Sequence, residues 1–301
     1  MSKTVDINLV EDPSGYIVID VLPKEQFEKV HIPGAVNACV YEVTFIDQVK
    51  AICHDFDAQL LIYGNSAISS EASIAVEKLA RAGYRNLTIL QGGIDAWQKH
   101  GKPLEGHRVD AIAPETVDFL PSGRYTIDAI ESTLGWTGRN ANGRHWGTVA
   151  ISKGDLFSSG DEIRGEFVID MQRMDNIDLA DNPLKEVLIK HLQSDDFFFT
   201  ERYPTATYTI SSAHPIARMS LTQPNYHLQG ELELRGVKAP LDFAATVNRG
   251  DDKVWHAIAH FDLDRTKWEV LYGSSRFFAH LGMHKVFDMI SFEIKLKVVS
   301  S

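Results

Sequence analysis

Residues 228–248 read LQGELELRGVKAPLDFAATVN, and this stretch decides the fold of the larger part of the chain. Leu228, Leu232 and Leu234 share one parity, while charged and polar residues occupy much of the other. After a turn predicted over residues 236–240, a second run alternates in the same way. A period of two is typical of a β-hairpin with one apolar face and one polar face.

The same alternation recurs on both sides of this hairpin. Residues 290–298 repeat it, and residues 167–171 have the pattern of a further strand. A single helix interrupts the strands, with Asn182 as its N-cap and Pro183 at its first helical position. Many alternating strands with one helix predict an antiparallel barrel or sandwich over residues 122–301.

Residues 1–105 have a different hydrophobic pattern. Continuous apolar runs at 16–21 and 60–63 are typical of strands buried on both faces of a parallel sheet, and residues 72–80 carry a helical stripe. This part is therefore predicted to be an α/β domain. Residues 106–121 contain prolines and little periodicity, which predicts a linker. The expected fold class is two domains, an N-terminal α/β domain with a parallel sheet and a C-terminal antiparallel β-barrel with a helix.

Composition excludes several function classes. The chain has 30 basic and 41 acidic residues, a net charge of −11, and no clustered cationic face of the kind that nucleic acid requires. No run approaches the roughly 18 apolar residues of a membrane span, and the N-terminus lacks the apolar stretch of a secretory signal, so a cytoplasmic location is expected. Two cysteines, Cys39 and Cys53, cannot build a disulfide scaffold or a four-cysteine zinc site. The histidine pairs lack a third ligand, and no metal or cofactor is expected.

Three segments of the first domain resemble the rhodanese-like domain. Residues 17–21 (IVIDV) and 31–35 (HIPGA) match the strand and turn of that family, and residues 90–97 (LQGGIDAW) match its closing segment. The resemblance implies a sulfurtransferase fold in which a cysteine follows the central strand. It lies at a helix N-terminus, where amides and the helix dipole stabilise thiolate and persulfide anions.

The corresponding loop has no such cysteine. Its residues are Gly64, Asn65, Ser66, Ala67, Ile68 and Ser69. Gly64 stands where the family has its nucleophile, and Ser69 stands where an arginine is usual. We therefore expect no enzyme here, but a degenerate domain that docks a protein partner or a second copy of the chain, as in a homodimer. The loop amides keep weak anion binding open, and a sulfurtransferase or sulfur relay using Cys39 or Cys53 is the alternative.

Five segments of the second domain resemble the YceI-like family. They are residues 125–128 (YTID), 165–167 (GEF), 191–198 (HLQSDDFF), 230–237 (GELELRGV) and 264–268 (DRTKW). The resemblance implies a lipocalin-like barrel that binds long apolar molecules such as polyisoprenoids. An apolar small molecule of the polyisoprenoid, fatty acid or fatty amide class is therefore the expected ligand.

The parity of the strands indicates which side chains would hold this ligand. A barrel of about eight strands is just wide enough for one small ligand or for a filling of side chains. If the apolar parity points inward, the wall comprises Phe167, Ile169, Met171, Leu232, Leu234, Phe243, Phe292 and Ile294. The aromatic stretches 197–199, with Phe197 and Phe198, and 277–278 are predicted to close a mouth. A barrel filled by these side chains is the competing hypothesis.

Arg265 has two interpretations. A basic group near the mouth of a barrel can pair with a ligand head group. It can equally form a buried ion pair with Asp264 or Asp262, its neighbours in the sequence. The sequence leaves both interpretations open.

Overall fold

The two parts of the chain with different hydrophobic patterns fold as separate units. The computed structural model describes residues 3–5, 13–107, 118–216, 222–250 and 253–301. Two units, Met1–Pro114 and Glu115–Ser301, are separated by their internal contacts. Most of the predicted linker falls outside the described residues.

The first unit is built on a parallel sheet. Its strands are β1 (Lys3–Val5), β2 (Ile17–Asp20), β3 (Val36–Asn37), β4 (Gln59–Tyr63) and β5 (Asn86–Leu90), in the spatial order β1-β5-β4-β2-β3. Its helices are α1 (Lys24–Lys29), α2 (Phe45–Ile52), α3 (Glu71–Arg81) and α4 (Gly93–Lys99). Successive residues of the central strand β4 enter two different core clusters, one on each face. Burial on both faces explains why this strand is apolar without interruption.

The second unit is a closed antiparallel barrel. Its strands are β6 (Gly123–Ile127), β7 (Thr133–Asn140), β8 (Gly143–Ser158), β9 (Ile163–Asn176), β10 (Thr205–Pro215), β11 (Tyr226–Leu234), β12 (Val237–Pro240), β13 (Phe243–Arg249), β14 (Val254–Asp264) and β15 (Met289–Ser300), with helix α5 (Leu184–Gln193) between β9 and β10. Pairing of β10 with β11 closes the ring. Among the described residues, β6 and β7 share one place between β8 and β15, and β12 and β13 share one place beside β11. The barrel therefore has eight strand positions around its circumference.

The predicted turn over residues 236–240 is wrong in position. The chain reverses at Arg235 and Gly236, whose φ angles are 54° and 75°. Two consecutive positive φ angles are what a two-residue hairpin of type I′ requires. Residues 237–240 then form β12, which pairs with β11 through Leu234 and Val237. The proline at the end of this short strand is tolerated there because it removes little of the ladder.

Helix α5 begins close to the predicted position. The Asn182 side chain accepts a hydrogen bond from the backbone N–H of Leu184 at 2.9 Å. Leu184 and Val187 are nevertheless largely exposed rather than packed inside the barrel. No helix in the described part of the chain combines the length and apolar character that crossing a bilayer requires.

Candidate functional site

The barrel is filled in one half and hollow in the other. Along β15, Ile290, Phe292 and Ile294 face a cavity, whereas Leu296 and Val298 pack into the closed core. About 80 Å³ of the cavity can hold the centre of a water molecule, and the space between atoms comes to about 760 Å³ when open solvent at its mouth is counted. The described residues around it expose only apolar atoms to it. A wall that exposes only apolar atoms favours an apolar guest over water.

The structure places all eight side chains of the predicted wall on this cavity. They are Phe167, Ile169, Met171, Leu232, Leu234, Phe243, Phe292 and Ile294. The predicted mouth residues separate instead. Phe198 lines the cavity, but Phe197 does not, and Phe277 and Phe278 are about half exposed and outside its wall. Phe277 and Phe278 therefore do not contribute to the cavity wall, and their closing of a mouth stays a prediction.

Tyr208 lines the cavity without exposing a polar group to it. Its hydroxyl donates to the backbone carbonyl of Leu241 at 2.8 Å, and burial raises its pKa. A Cβ at Gly230 would lie 2.6 Å from that hydroxyl oxygen. Gly230 is therefore needed for the ring of Tyr208 to take its place in the cavity wall.

A second chamber, with several polar side chains in its wall, adjoins the cavity, and we call it the vestibule. Four apolar side chains line both spaces, namely Trp136, Leu192, Phe198 and Ile290. The described polar residues of the vestibule are Arg139, Asn140, His145, His191, Arg265, Tyr272 and His284. The two spaces together can hold a molecule with an apolar chain and a polar end.

Two anchors hold parts of the walls of these spaces. The guanidinium of Arg235, at the β11–β12 turn, donates to the backbone carbonyls of Asp195 (2.8 Å) and Phe197. These bonds fix the loop that carries Phe198. The buried Trp268 donates its indole N–H to the carbonyl of Leu232 at 2.7 Å, which fixes this residue of the cavity wall.

Arg265 borders the vestibule but is a structural residue. Its side chain is 1% exposed and donates to the backbone carbonyls of Val270, Tyr272, Val286 and Phe287. Its nearest carboxylate is Asp288, at 3.8 Å. Burial lowers the pKa of this guanidinium, and Asp288 opposes that shift.

The predicted ion pair with Asp264 or Asp262 is therefore wrong. The carboxylate of Asp264 accepts from Thr266 (2.6 Å) and Arg276 (3.0 Å). The carboxylate of Asp262 accepts from the hydroxyl of Ser291 at 2.5 Å. Asp262 and Asp264 share the outward parity of β14, and neither forms an ion pair with the guanidinium.

In the first unit, the loop that follows β4 packs against α4. The carbonyls of Gly64 and Asn65 accept from the N–H groups of Ile94 (3.1 Å) and Asp95 (3.0 Å). Ser66 and Ser69 bond each other, and Ala67 and Ile68 are exposed. The backbone of this loop is therefore held by its own contacts.

A carboxylate lies where a side chain at position 64 would project. A Cβ at Gly64 would lie 3.0 Å from Oε2 of Glu71 and 3.4 Å from the backbone nitrogen of Ala72. This oxygen is buried and has no hydrogen-bond partner among the described residues, while Oε1 accepts from Tyr41 at 3.2 Å. Glu71 is in the first turn of α3, where the helix dipole stabilises a negative charge. The anion-stabilising end of this helix thus already faces a carboxylate of its own.

Asp20, Cys39 and Cys53 are buried in the fold of this unit, and His31 is only partly exposed. Burial raises the pKa of Asp20 to about 6, although a hydrogen bond from Tyr63 and one from the backbone N–H of Leu22 oppose that shift. The ring of His31 stacks on Phe27 with centroids 4.0 Å apart. Cys39 and Cys53 are free and buried. In the described residues, no three histidine, cysteine or acidic side chains converge as a metal site.

Comparison with known families agrees with both units. A model of the YceI-like domain matches residues 125–299, which is more than half of the chain. The chain belongs to the YceI-like family. A model of the Rhodanese-like domain matches residues 7–100, so the YceI-like barrel follows a rhodanese-like domain in one chain.

Individual relatives match one unit each. The adenylyltransferase and sulfurtransferase UBA4 of Meyerozyma guilliermondii is 31% identical over 96 residues, which are 31% of this YceI-like chain and 22% of the yeast protein. The chain thus spans about a fifth of the length of that relative. BcnA of Burkholderia cenocepacia is similar to the barrel with 17% identity and a TM-score of 0.44, over 58% of this chain and 99% of BcnA. A polyisoprenoid binding domain from Saccharophagus degradans is 16% identical with a TM-score of 0.43, over 59% of this chain and 98% of that domain.

The YceI-like cavity includes residues that sequence reasoning missed. Trp136, Phe261 and Leu263 line it, and each continues an alternating pattern in β7 or β14 that could have indicated an inward side chain. Arg139, His145 and His284 of the vestibule lie at strand ends or in irregular segments. No periodicity marks such positions, so the sequence held no signal for them.

Proposed function

We propose that the YceI-like unit binds one lipid-like molecule, with its apolar chain in the barrel cavity. The observation that carries the proposal is the apolar wall of that cavity and its continuation into a polar vestibule. Burial of a chain gains about 0.8 kcal/mol per methylene before ordering costs, and such contacts need few specific residues. The proposed ligand class is a polyisoprenoid, a fatty acid or a fatty amide.

The uneven filling of the barrel favours a ligand over a barrel closed by its own side chains. Leu296, Val298 and Trp255 pack one half without a cavity. The same alternating pattern continues into the other half, where Ile290 and Phe292 line open space. A protein interior is normally packed to the density of an organic crystal, so a hollow half calls for a guest.

Native mass spectrometry of the purified full chain tests this function. We expect a species heavier than the bare chain by the mass of one apolar molecule, which organic solvent releases. The stripped chain should then bind the neutral fluorophore N-phenyl-1-naphthylamine at one site and release it when farnesol is added. A bare-chain mass together with no binding of the fluorophore would contradict the proposal.

We propose that the rhodanese-like domain is an interaction module that catalyses no sulfur transfer. Gly64 supports this proposal because it has no sulfur, and Glu71 supports it because its carboxylate faces position 64. Neither Cys39 nor Cys53 begins a helix that follows a strand, and both are buried. The partner is a second protein or a second copy of this chain.

Turnover of thiosulfate and cyanide to sulfite and thiocyanate is expected to stay at the level of buffer in the unmodified chain and in Gly64→Cys. In the variant, the new thiolate would face the Glu71 carboxylate, and a like charge disfavours the thiolate that must attack. Gly64→Ser, which has the same steric demand without sulfur, is the matched control. Activity in the unmodified chain that disappears in Cys39→Ala or Cys53→Ala would overturn the proposal, and activity in Gly64→Cys would overturn the role given to Glu71.

A further inference from the structure

We propose that the vestibule binds an anionic head group, a carboxylate or a phosphate, at the end of the chain that fills the cavity. This inference rests on the proposed ligand-binding function and adds the chemistry of the ligand's polar end. It starts from the charge of the vestibule wall, which differs from the charge of the chain as a whole.

The ionisable side chains on the described wall of the vestibule are cationic or histidine, with one tyrosine. Two arginines and three histidines line it, and the described wall contains no aspartate or glutamate. The chain as a whole has a net charge of −11. The described wall therefore offers N–H donors to a negative group and places no carboxylate in direct contact with it.

Carboxylates do lie near this wall, and they hold its side chains from outside. Asp178 bonds Nδ1 of His145 at 2.8 Å, and Asp196 bonds Nε2 of His191 at 3.2 Å. These contacts orient the rings, as second partners commonly do for functional histidines. Each ring has a second nitrogen that this carboxylate does not use, and a head group can bond to it.

Arg139 is placed to make the strongest contact. One of its terminal nitrogens donates to the hydroxyl of Ser291 at 2.8 Å, and Ser291 in turn donates to Asp262. These hydrogen bonds hold the guanidinium in place, and Arg139 is one of the residues that line the vestibule, where a head group can reach it. A guanidinium matches the geometry of a carboxylate or phosphate, and such charge-assisted pairs are about twice as strong as neutral ones.

The vestibule and the cavity are also correctly connected for one molecule. Trp136, Leu192, Phe198 and Ile290 line both spaces, so a chain that ends in the cavity leads its head group into the vestibule. His284 also lines the vestibule, and its Nδ1 contacts the hydroxyl of Tyr272 at 3.2 Å. The arrangement therefore distinguishes an amphiphile with an acidic end from an alcohol of the same chain.

Paired ligands with equal chains test this inference on the stripped full chain. Palmitate is compared with 1-hexadecanol, and farnesyl phosphate with farnesol, by displacement of N-phenyl-1-naphthylamine. We expect each anion to bind at least about tenfold more tightly than its alcohol, the equivalent of one charge-assisted hydrogen bond. The preference should weaken as salt is raised, because part of it is electrostatic. A preference for one anion alone would identify the head group as carboxylate or as phosphate.

The double variant Arg139→Gln/His284→Gln should reduce the ratio of the two affinities to about one in each pair. Arg124→Gln is the matched control. Arg124 is an exposed arginine of β6, opposite Phe157 in the strand register, whereas Arg139 of β7 is opposite Arg144 at the other end of β8. It should keep the preference. Equal binding of anion and alcohol to the unmodified chain, or an unchanged ratio in the double variant, would overturn the head-group site. Failure of all four ligands and of the fluorophore to bind would instead overturn the ligand-binding function itself.

Discussion

Replacement of Arg265 by methionine is expected to lower the free energy of unfolding of the YceI-like unit by about 3–5 kcal/mol, the usual cost of removing one partner from a buried charged network. The side chain is 1% exposed and satisfies four backbone carbonyls that precede β15. Methionine fills a similar volume but donates nothing. The carbonyls would then be buried without their donor, and each such group costs about 1–3 kcal/mol. Asp288 would lose a positive charge that lies 3.8 Å away.

Urea unfolding followed by tryptophan fluorescence measures this loss, since four of the five tryptophans belong to the barrel unit. Arg276→Met is the matched control. Arg276 is 56% exposed and pairs with Asp264 at 3.0 Å, so its loss should cost less than about 1 kcal/mol. Arg265→Lys, which keeps the charge but not the planar fork, should fall between the two variants. Equal stability of Arg265→Met and Arg276→Met would show that Arg265 does not organise this end of the barrel.

Much of the fold could be predicted from the sequence because alternation and continuous apolar runs have direct geometric meanings. A run such as residues 60–63 can be apolar throughout only where both faces of a strand are covered, and the structure places it at the centre of the parallel sheet. Alternation in residues 290–298 likewise assigns one face of β15 to the interior. The position of the β11–β12 turn was harder to predict, because Arg235 adopts a positive φ that a non-glycine residue seldom shows.

The hollow half of the barrel could not be predicted, because packed and cavity-lining residues have the same pattern. Phe292 and Val298 share the parity of one strand, yet Phe292 lines the cavity and Val298 lies in the packed core. The difference depends on what other strands bring opposite them. Partners of Arg265 were equally hidden, because they are backbone carbonyls of an irregular segment and carry no sequence signal.

The predicted ion pair of Arg265 with Asp264 or Asp262 was wrong because closeness in sequence does not imply contact between side chains. Adjacent residues at the end of a strand point in different directions, so proximity in sequence does not bring two charges together. The structure pairs Asp264 with Arg276 and places Asp288 beside Arg265. Both correct partners lie more than ten residues downstream, in a segment without helix or strand periodicity.

Ala206→Trp is expected to weaken binding of an apolar chain by at least about 100-fold, because an indole would occupy the space of the chain. Ala206 is buried on β10 and lines the cavity. Displacement of only four methylenes, at about 0.8 kcal/mol each, costs about 3 kcal/mol, which corresponds to about 100-fold in affinity. Displacement titrations of N-phenyl-1-naphthylamine by farnesol on the stripped full chain measure the effect.

Ala244→Trp is the matched control for this substitution. Ala244 lies on β13 between Phe243 and Ala245, which are buried, so its own side chain has the outward parity and is only half-buried. The same ring at this position leaves the cavity open, and farnesol binding should stay within about twofold of the unmodified chain.

Overpacking could unfold Ala206→Trp, and loss of its near-ultraviolet circular dichroism would reveal this. In that case Leu241→Trp places the ring at a half-buried point of the same wall. Farnesol binding that survives in a folded cavity variant as well as in Ala244→Trp would mean that the ligand lies outside the barrel.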